Sequence, residues 1–261
     1  MSSSPHILVE RRGHVGILVI NRPEKRNAFT VEMLRSLTDH LSAFEADADI
    51  RVSLVRAEGP DFTTGLDLAD VVPSFSQGQR PFADTMTDPW DVVGRPRSKP
   101  LVVAARGRCY TLGFELVLAA DCSVVASDTV FALREVRVGI IPFGGGVVRL
   151  LEAVGWSTTL RYALTGDDMT APDAHDLHLV QEVVEPGREL ERALALAEAI
   201  ASQPPLAVRA LLDHAREALE LGRRAALSHV PARGRALLST DDAREAAAAL
   251  LERRRSVYHG R

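Results

Sequence analysis

Between Arg108 and Asp121 the chain has one charged residue, Glu115, set among Leu112, Phe114, Leu116, Val117 and Leu118. A helix that is apolar all round belongs in an interior. An ionised carboxylate there costs on the order of several kcal/mol unless something compensates it. Either its pKa rises towards neutrality, which suits a general acid or base, or an Arg pairs with it inside the fold. Glu135 stands where the extended stretch Phe131-Ala132-Leu133 gives way to the turn of Val138-Gly139-Ile140-Ile141-Pro142. Flanked by Arg134 and Arg137, it reads as a surface ion pair or as a functional group at the end of a rigid element. A third segment, Phe62-Thr63-Thr64-Gly65-Leu66-Asp67-Leu68, follows a strand and opens a short helix. Main-chain N–H groups in such a turn can point at a bound oxygen, and Asp67 suits a helix N-terminal region. The same residues would also serve as a helix entrance without a ligand.

Other chemistries find less support. Gly144-Gly145-Gly146 lacks the spacing of a phosphate-binding loop and no Lys-Ser or Lys-Thr follows it. It reads as a tight turn that lets backbone approach closely. His175 and His178 lie three apart with no acidic or Cys partner at metal spacing, so no metal is expected. Ser123, Ser127 and Ser157 sit in no nucleophile elbow. Cys109 and Cys122 read as free thiols in a reducing compartment. Residues 1–6 are short and polar, with no apolar signal core and no Arg-rich leader, so a cytoplasmic enzyme is expected. There is no membrane-length apolar run. The net charge is −4 with only Lys25 and Lys99 among the lysines, which argues against a nucleic-acid partner.

These residues need a scaffold, and the pattern supplies an α/β one. Residues 6–12 and the apolar run Gly16-Ile17-Leu18-Val19-Ile20 form strands across Gly13. Leu34, Leu37, Leu41 and Phe44 recur at helical spacing behind the N-cap Thr30. Val52-Ser53-Leu54-Val55, Leu101-Val102-Val103-Ala104-Ala105 and residues 123–126 add strands, with helices over 112–120 and 147–154. Alternation of this kind makes a largely parallel sheet. Residues 73–97 hold four prolines and no period, as a mobile lid or pocket wall would. After Pro186 the composition turns to Ala, Leu, Glu and Arg. The expected division is an α/β core over 1–186 and a helical module over 187–261, broken at Pro204-Pro205 and at Pro231.

Taken in order, these segments resemble the enoyl-CoA hydratase/isomerase family, the crotonases, from about Val15 to Tyr258. Asn21-Arg22-Pro23 with Asn27-Ala28 is similar to its early coenzyme A loop. Residues 62–68 are similar to its first oxyanion segment, and Lys99-Pro100 through Glu115-Leu116 to its second. Residues 131–142 with the glycine run, Leu164-Thr165-Gly166, Leu179-Val180 and Ser239-Thr240-Asp241 complete the order. The resemblance implies a crotonase-like spiral of β-β-α units and C-terminal helices that build a homotrimer or a hexamer. It implies that the N–H groups of Leu66 and Leu112 hold a thioester oxygen. It also implies that Arg26, Ala28, Thr64, Asp67, Leu68 and Thr111 bind the acyl-CoA, which is substrate, so no separate cofactor is required. Hydratases of the family carry two glutamates, here Glu115 and Glu135, that share the water added to the 2,3 double bond. The family's dienoyl isomerases have an Asp eight residues after the second Glu, where this chain has Phe143. Departures are Thr111-Leu112, where the family has glycines; Leu66, where it has Ala; and a missing C-terminal Lys, for which Arg253, Arg254 or Arg255 can substitute. Other reactions of the family (isomerisation, hydrolysis, retro-aldol cleavage) and acyl-CoA binding without turnover are the alternatives.

Overall fold

The computed structural model describes residues 5–261, so residues 1–4 of the polar start lie outside the described part. Strand β1 (Ile7–Arg12) turns at Gly13, whose φ of +57° favours glycine, and pairs antiparallel with β2 (Val15–Ile20). All six residues of β2 are buried, because both faces of the sheet are covered. Leu18 and Ile20 face one core, and Val15, Ile17 and Val19 the other. Helix α1 (Val31–Ala46) starts where the Thr30 hydroxyl accepts the N–H of Met33, and buries Leu34, Leu37, Leu41 and Phe44.

Three turns of one pattern follow. Each lays a strand in the large sheet, a short piece in a small sheet, then a helix. The first is β3 (Val52–Ala57), Thr63 and α2 (Leu68–Phe75). The second is β4 (Leu101–Ala105), β5 (Arg108–Tyr110) and α3 (Leu112–Ala119). The third is β6 (Cys122–Ala126), β7 (Val130–Ala132) and α4 (Gly146–Thr165), a helix interrupted at Gly155. Then come β8 (Met169–Thr170), α5 (Ala171–Asp176) and β9 (Glu182–Val184). The large sheet runs β1-β2-β3-β4-β6-β9, parallel from β2 onward, and the small one β5-β7-β8. In the small sheet Thr63 lies opposite Cys109, and Cys109 opposite Phe131. This is the spiral of β-β-α units that the resemblance implies.

Three features depart from the sequence reading. Helix α6 (Glu189–Ala201) is not part of a separate tail: its small residues Ala193, Ala197 and Ala201 close the second core against β2, β3, β4 and β6. The next break after α7 (Pro205–Glu220) falls at Gly222, φ +83°, while Pro231 sits inside α8 (Arg223–Leu238) on an exposed face. Removing one donor there leaves most of the helix's ladder intact. α9 (Asp241–Glu252) ends the helices, and the chain returns so that the Asp242 carboxylate accepts the N–H groups of His259 and Gly260. The third departure concerns the mobility expected of residues 73–97, which do wall a cavity. Their first part completes α2, and the later part is well tied. The Asp88 carboxylate accepts the N–H groups of Trp90, Val92 and Val93, and buried Arg97 donates to Asp121 and to the Ala119 carbonyl.

Candidate active site

The register of the small sheet brings two main-chain amides together. Leu66 lies three residues past Thr63 (66 − 63 = 3) and Leu112 three past Cys109 (112 − 109 = 3), so they are equivalent positions in successive turns. At Leu66 the neighbours Gly65 and Asp67 turn their carbonyl and N–H to Phe29, at 2.8 Å each. In a parallel bridge this directs the N–H of Leu66 to the opposite side. Leu112 is the first residue of α3, where an N–H has no partner within the helix. Its carbonyl accepts the indole N–H of Trp90 at 2.8 Å, which fixes its orientation.

The loop beneath is held by a residue with no visible chemistry. Asn27 is fully buried with φ +57°, and its amide donates to the carbonyls of Glu58 and Asp61 while its oxygen accepts the N–H of Arg22. The Thr63 hydroxyl donates to the Asn27 carbonyl and accepts from the N–H of Gly65. Arg22 in turn reaches the Asp67 carboxylate and the Ala28 carbonyl, both at 2.9 Å.

Both glutamates face the cavity that these amides line. Glu115 is 1% exposed on α3, and Glu135 is 6% exposed in the 3-10 turn after β7. Neither is in an ion pair: Arg134 pairs with Asp168 and Arg137 with Asp167, so the surface-pair reading of Glu135 fails. Among the described residues no Arg pairs with Glu115 either. Burial pushes Glu115 up to about 7, against hydrogen bonds from the main chain at Gly146 and Gly144 and the charge of Arg149. Burial, helped by the Glu115 charge and opposed by a hydrogen bond from its own main-chain N–H, also pushes Glu135 up to about 7. The two are differently solvated. Glu115 Oε1 accepts the N–H of Gly146 at 2.9 Å, whereas Glu135 Oε2 is buried with no partner among the described residues.

The glycine run is explained by this packing. A Cβ on Gly144 would lie 2.8 Å from Trp90 and 3.0 Å from Glu115, and one on Gly146 2.9 Å from the Glu115 Cγ. The close approach is that of backbone to the Glu115 side chain. Arg149 holds the turn by donating to the carbonyls of Gly144 and Trp90.

Two cavities meet at the amides. One, of about 300 Å³, is lined by Arg26, Thr64, Leu68, Tyr110, Thr111, Glu115 and Glu135 among others. The other, of about 390 Å³, is mostly apolar, with Leu34, Phe75, Phe82, Trp90, Val92 and Val93 beside Arg80 and Asp88. Leu66, Leu112 and Phe143 line both. Ala28 and Asp67 line neither. The Asp67 carboxylate is held by Arg22 at 2.9 Å. Sequence reasoning passed over Trp90 and Arg149, and named Asn27 only as part of the early coenzyme A loop. A lone Trp beside Asp88 in a proline-rich stretch was the available signal for the first; nothing in the spacing marked Arg149. Among the described residues no group of His, Cys, Asp and Glu could hold a metal, and no helix is long and apolar enough to cross a membrane.

Comparison with known proteins agrees with the geometry. A sequence model of the family described as enoyl-CoA hydratase/isomerase matches residues 10–261. Enoyl-CoA hydratase EchA19 of Mycobacterium tuberculosis is 32% identical over all of this chain and 99% of its own. The 2,3-dehydroadipyl-CoA hydratase of Escherichia coli is 31% identical over 98% of this chain and 99% of its own. The crystal structure of a probable enoyl-CoA hydratase/isomerase from Mycobacterium abscessus superposes with a TM-score of 0.94, at 40% identity, over 98% of this chain and 99% of that one.

Proposed function

The chain belongs to the enoyl-CoA hydratase/isomerase family, and from that premise we propose that it adds water across the 2,3 double bond of an enoyl-CoA thioester. The N–H groups of Leu66 and Leu112 receive the thioester oxygen as it takes on enolate charge. Each such preorganised donor contributes about 3 kcal/mol of transition-state stabilisation. Glu115, whose charged form the Gly146 N–H favours against burial, removes a proton from the water as its oxygen bonds to the β-carbon. Glu135, whose buried unpartnered oxygen favours the protonated form, delivers a proton to the α-carbon. One proton is taken and one given, so water adds with no further cofactor. The apolar cavity takes the acyl chain, and the cavity with Arg26 and Thr64 takes the coenzyme A arm.

The observation that carries this reading is the pair of buried carboxylates, outside the ion pairs of the described residues and raised to about 7, in the same cavity as both amides. Two-carboxylate chemistry is what hydration needs and single-base isomerisation does not. The test is a panel of 2-enoyl, 3-enoyl and 3-hydroxyacyl thioesters, followed by loss or gain of the conjugated chromophore. Hydration of the 2-enoyl members as the fastest reaction is expected. Faster isomerisation of the 3-enoyl members, or tight binding without turnover, would replace the reading. Exposed Leu219, Leu238, Leu250 and Leu251 on the C-terminal helices support assembly as a trimer or hexamer. The two free thiols fit a reducing, cytoplasmic setting.

A further inference from the structure

The same register that aligns Leu66 with Leu112 aligns the residues before them, Gly65 and Thr111 (65 − 63 = 2; 111 − 109 = 2). Both have positive φ, +98° and +49°. A left-handed residue at this point swings the following N–H into the cavity. The first turn of the spiral uses glycine, which adopts the conformation freely. The second uses a β-branched residue, for which this region is sterically costly. An unfavourable residue at the position that aims an oxyanion donor calls for a compensating use of its side chain.

That side chain does not stabilise the helix it precedes. Thr111 is the N-cap of α3, yet with ψ at −118° its hydroxyl makes no capping hydrogen bond. It lies over Gly65 instead: a Cβ on Gly65 would be 1.7 Å from Thr111 Oγ1. The hydroxyl therefore fills the gap between the two donor segments, on the cavity that Leu66, Leu112 and both glutamates line. The Thr111 backbone is fully engaged, its N–H with the Ala132 carbonyl and its carbonyl with the N–H of Glu115, so only the hydroxyl is left to act.

We propose that the Thr111 hydroxyl is a third hydrogen-bond donor to the thioester oxygen, beside the N–H groups of Leu66 and Leu112. The inference rests on the hydratase reading of the site, and its test separates the two. Thr111→Val keeps the branch and the volume and removes only the hydroxyl; Thr111→Ser restores it; Thr111→Gly removes both hydroxyl and backbone strain. With a 2-enoyl thioester, Thr111→Val is expected to lower kcat about tenfold or more while KM changes less than about threefold. Thr111→Ser is expected to stay within about threefold of the parent. Thr111→Gly is expected to lose kcat like Thr111→Val while melting no lower than the parent. A second readout needs no hydration: the near-ultraviolet band of the enolate of acetoacetyl-CoA, stronger on the parent than on Thr111→Val. Val or Gly variants within about threefold of the parent in kcat, with an unchanged enolate band, overturn the role of Thr111 and leave the hydratase reading standing. A parent that hydrates nothing yet shows the enolate band, weakened in Thr111→Val, overturns the hydratase reading and upholds Thr111. A parent that neither hydrates nor enolises counts against both.

Discussion

Glu115 Oε1 accepts the main-chain N–H of Gly146 at 2.9 Å, and Gly146 has no room for a Cβ against the same carboxylate. The helix that carries the acid and the turn that starts the next helix are thus fitted to one another through a charge. Glu135 Oε2, by contrast, has no partner among the described residues, while burial pushes both carboxyls up to about 7.

Removing the charge at Glu115 should remove the reaction. Glu115→Gln keeps the shape and can still accept from Gly146, so the fold is retained. We expect kcat on a 2-enoyl thioester to fall by about a hundred- to ten-thousand-fold, the range of a positioned acid or base. Glu135→Gln should act in the same direction, and the double variant should cost little beyond either single one, because the two serve one event. Near-parental hydration by Glu115→Gln would leave the mechanism without its base.

The rate should have a bell-shaped dependence on pH centred near neutrality, since one acid must be ionised and the other protonated. Stability should respond too. Both groups are raised in the folded chain from an ordinary value of 4.5 to about 7, so between those limits the folded state binds more protons than the unfolded one. Their contribution to stability therefore falls as pH rises from about 4.5 to about 7, and stays low above that. At pH 8 Glu135→Gln should melt about 2–4 °C above the parent, and the gap should close towards pH 4. Melting curves across that range check the sign; a variant that melts lower at pH 8 contradicts it.

Glu115 was conspicuous in the sequence because a single charge in an apolar helical run is rare and expensive. The strand pattern and the N-cap Thr30 were readable for the same local reason. Glu135 was not decided by its neighbours, because Arg134 and Arg137 looked like its partners until the fold gave them Asp168 and Asp167. The pairing of Leu66 with Leu112 depends on the bridge between Thr63 and Cys109, 46 residues apart (109 − 63 = 46), which no periodicity encodes. α6 looked like the rest of the helical tail since its buried stripe is alanine, a residue equally common on open helices.

Gly146→Ala tests the fit described above. The added methyl would lie 2.9 Å from the Glu115 Cγ and 3.2 Å from its Oε1, so the carboxylate must move. Gly146 is the first residue of α4 and needs no left-handed backbone, so helix propensity favours the alanine. Overpacking costs about 1–3 kcal/mol, partly offset by that gain. Activity should fall much further than stability, by about a hundredfold in kcat, because displacing a reacting group by about 1 Å has that effect. Thermal melting beside steady-state rates distinguishes this from general unfolding.

Trp90→Phe addresses the second amide. The indole N–H is the side-chain donor to the Leu112 carbonyl, 2.8 Å away, and so steadies the peptide next to the one whose N–H is the proposed donor to the thioester oxygen. Trp90 is 3% exposed and sits edge-on to Phe29 with ring centroids 5.9 Å apart, a contact that Phe can largely keep. The hydrogen bond is what is lost, worth about 0.5–1.5 kcal/mol to stability. If it orients the donor, kcat should fall about tenfold on substrates of every acyl length, since the thioester oxygen is common to all. If Trp90 only walls the apolar cavity, which it also lines, KM should change with acyl length and kcat should hold. Kinetics on a short and a long 2-enoyl thioester separate these outcomes, and the hydrogen bond predicts the first.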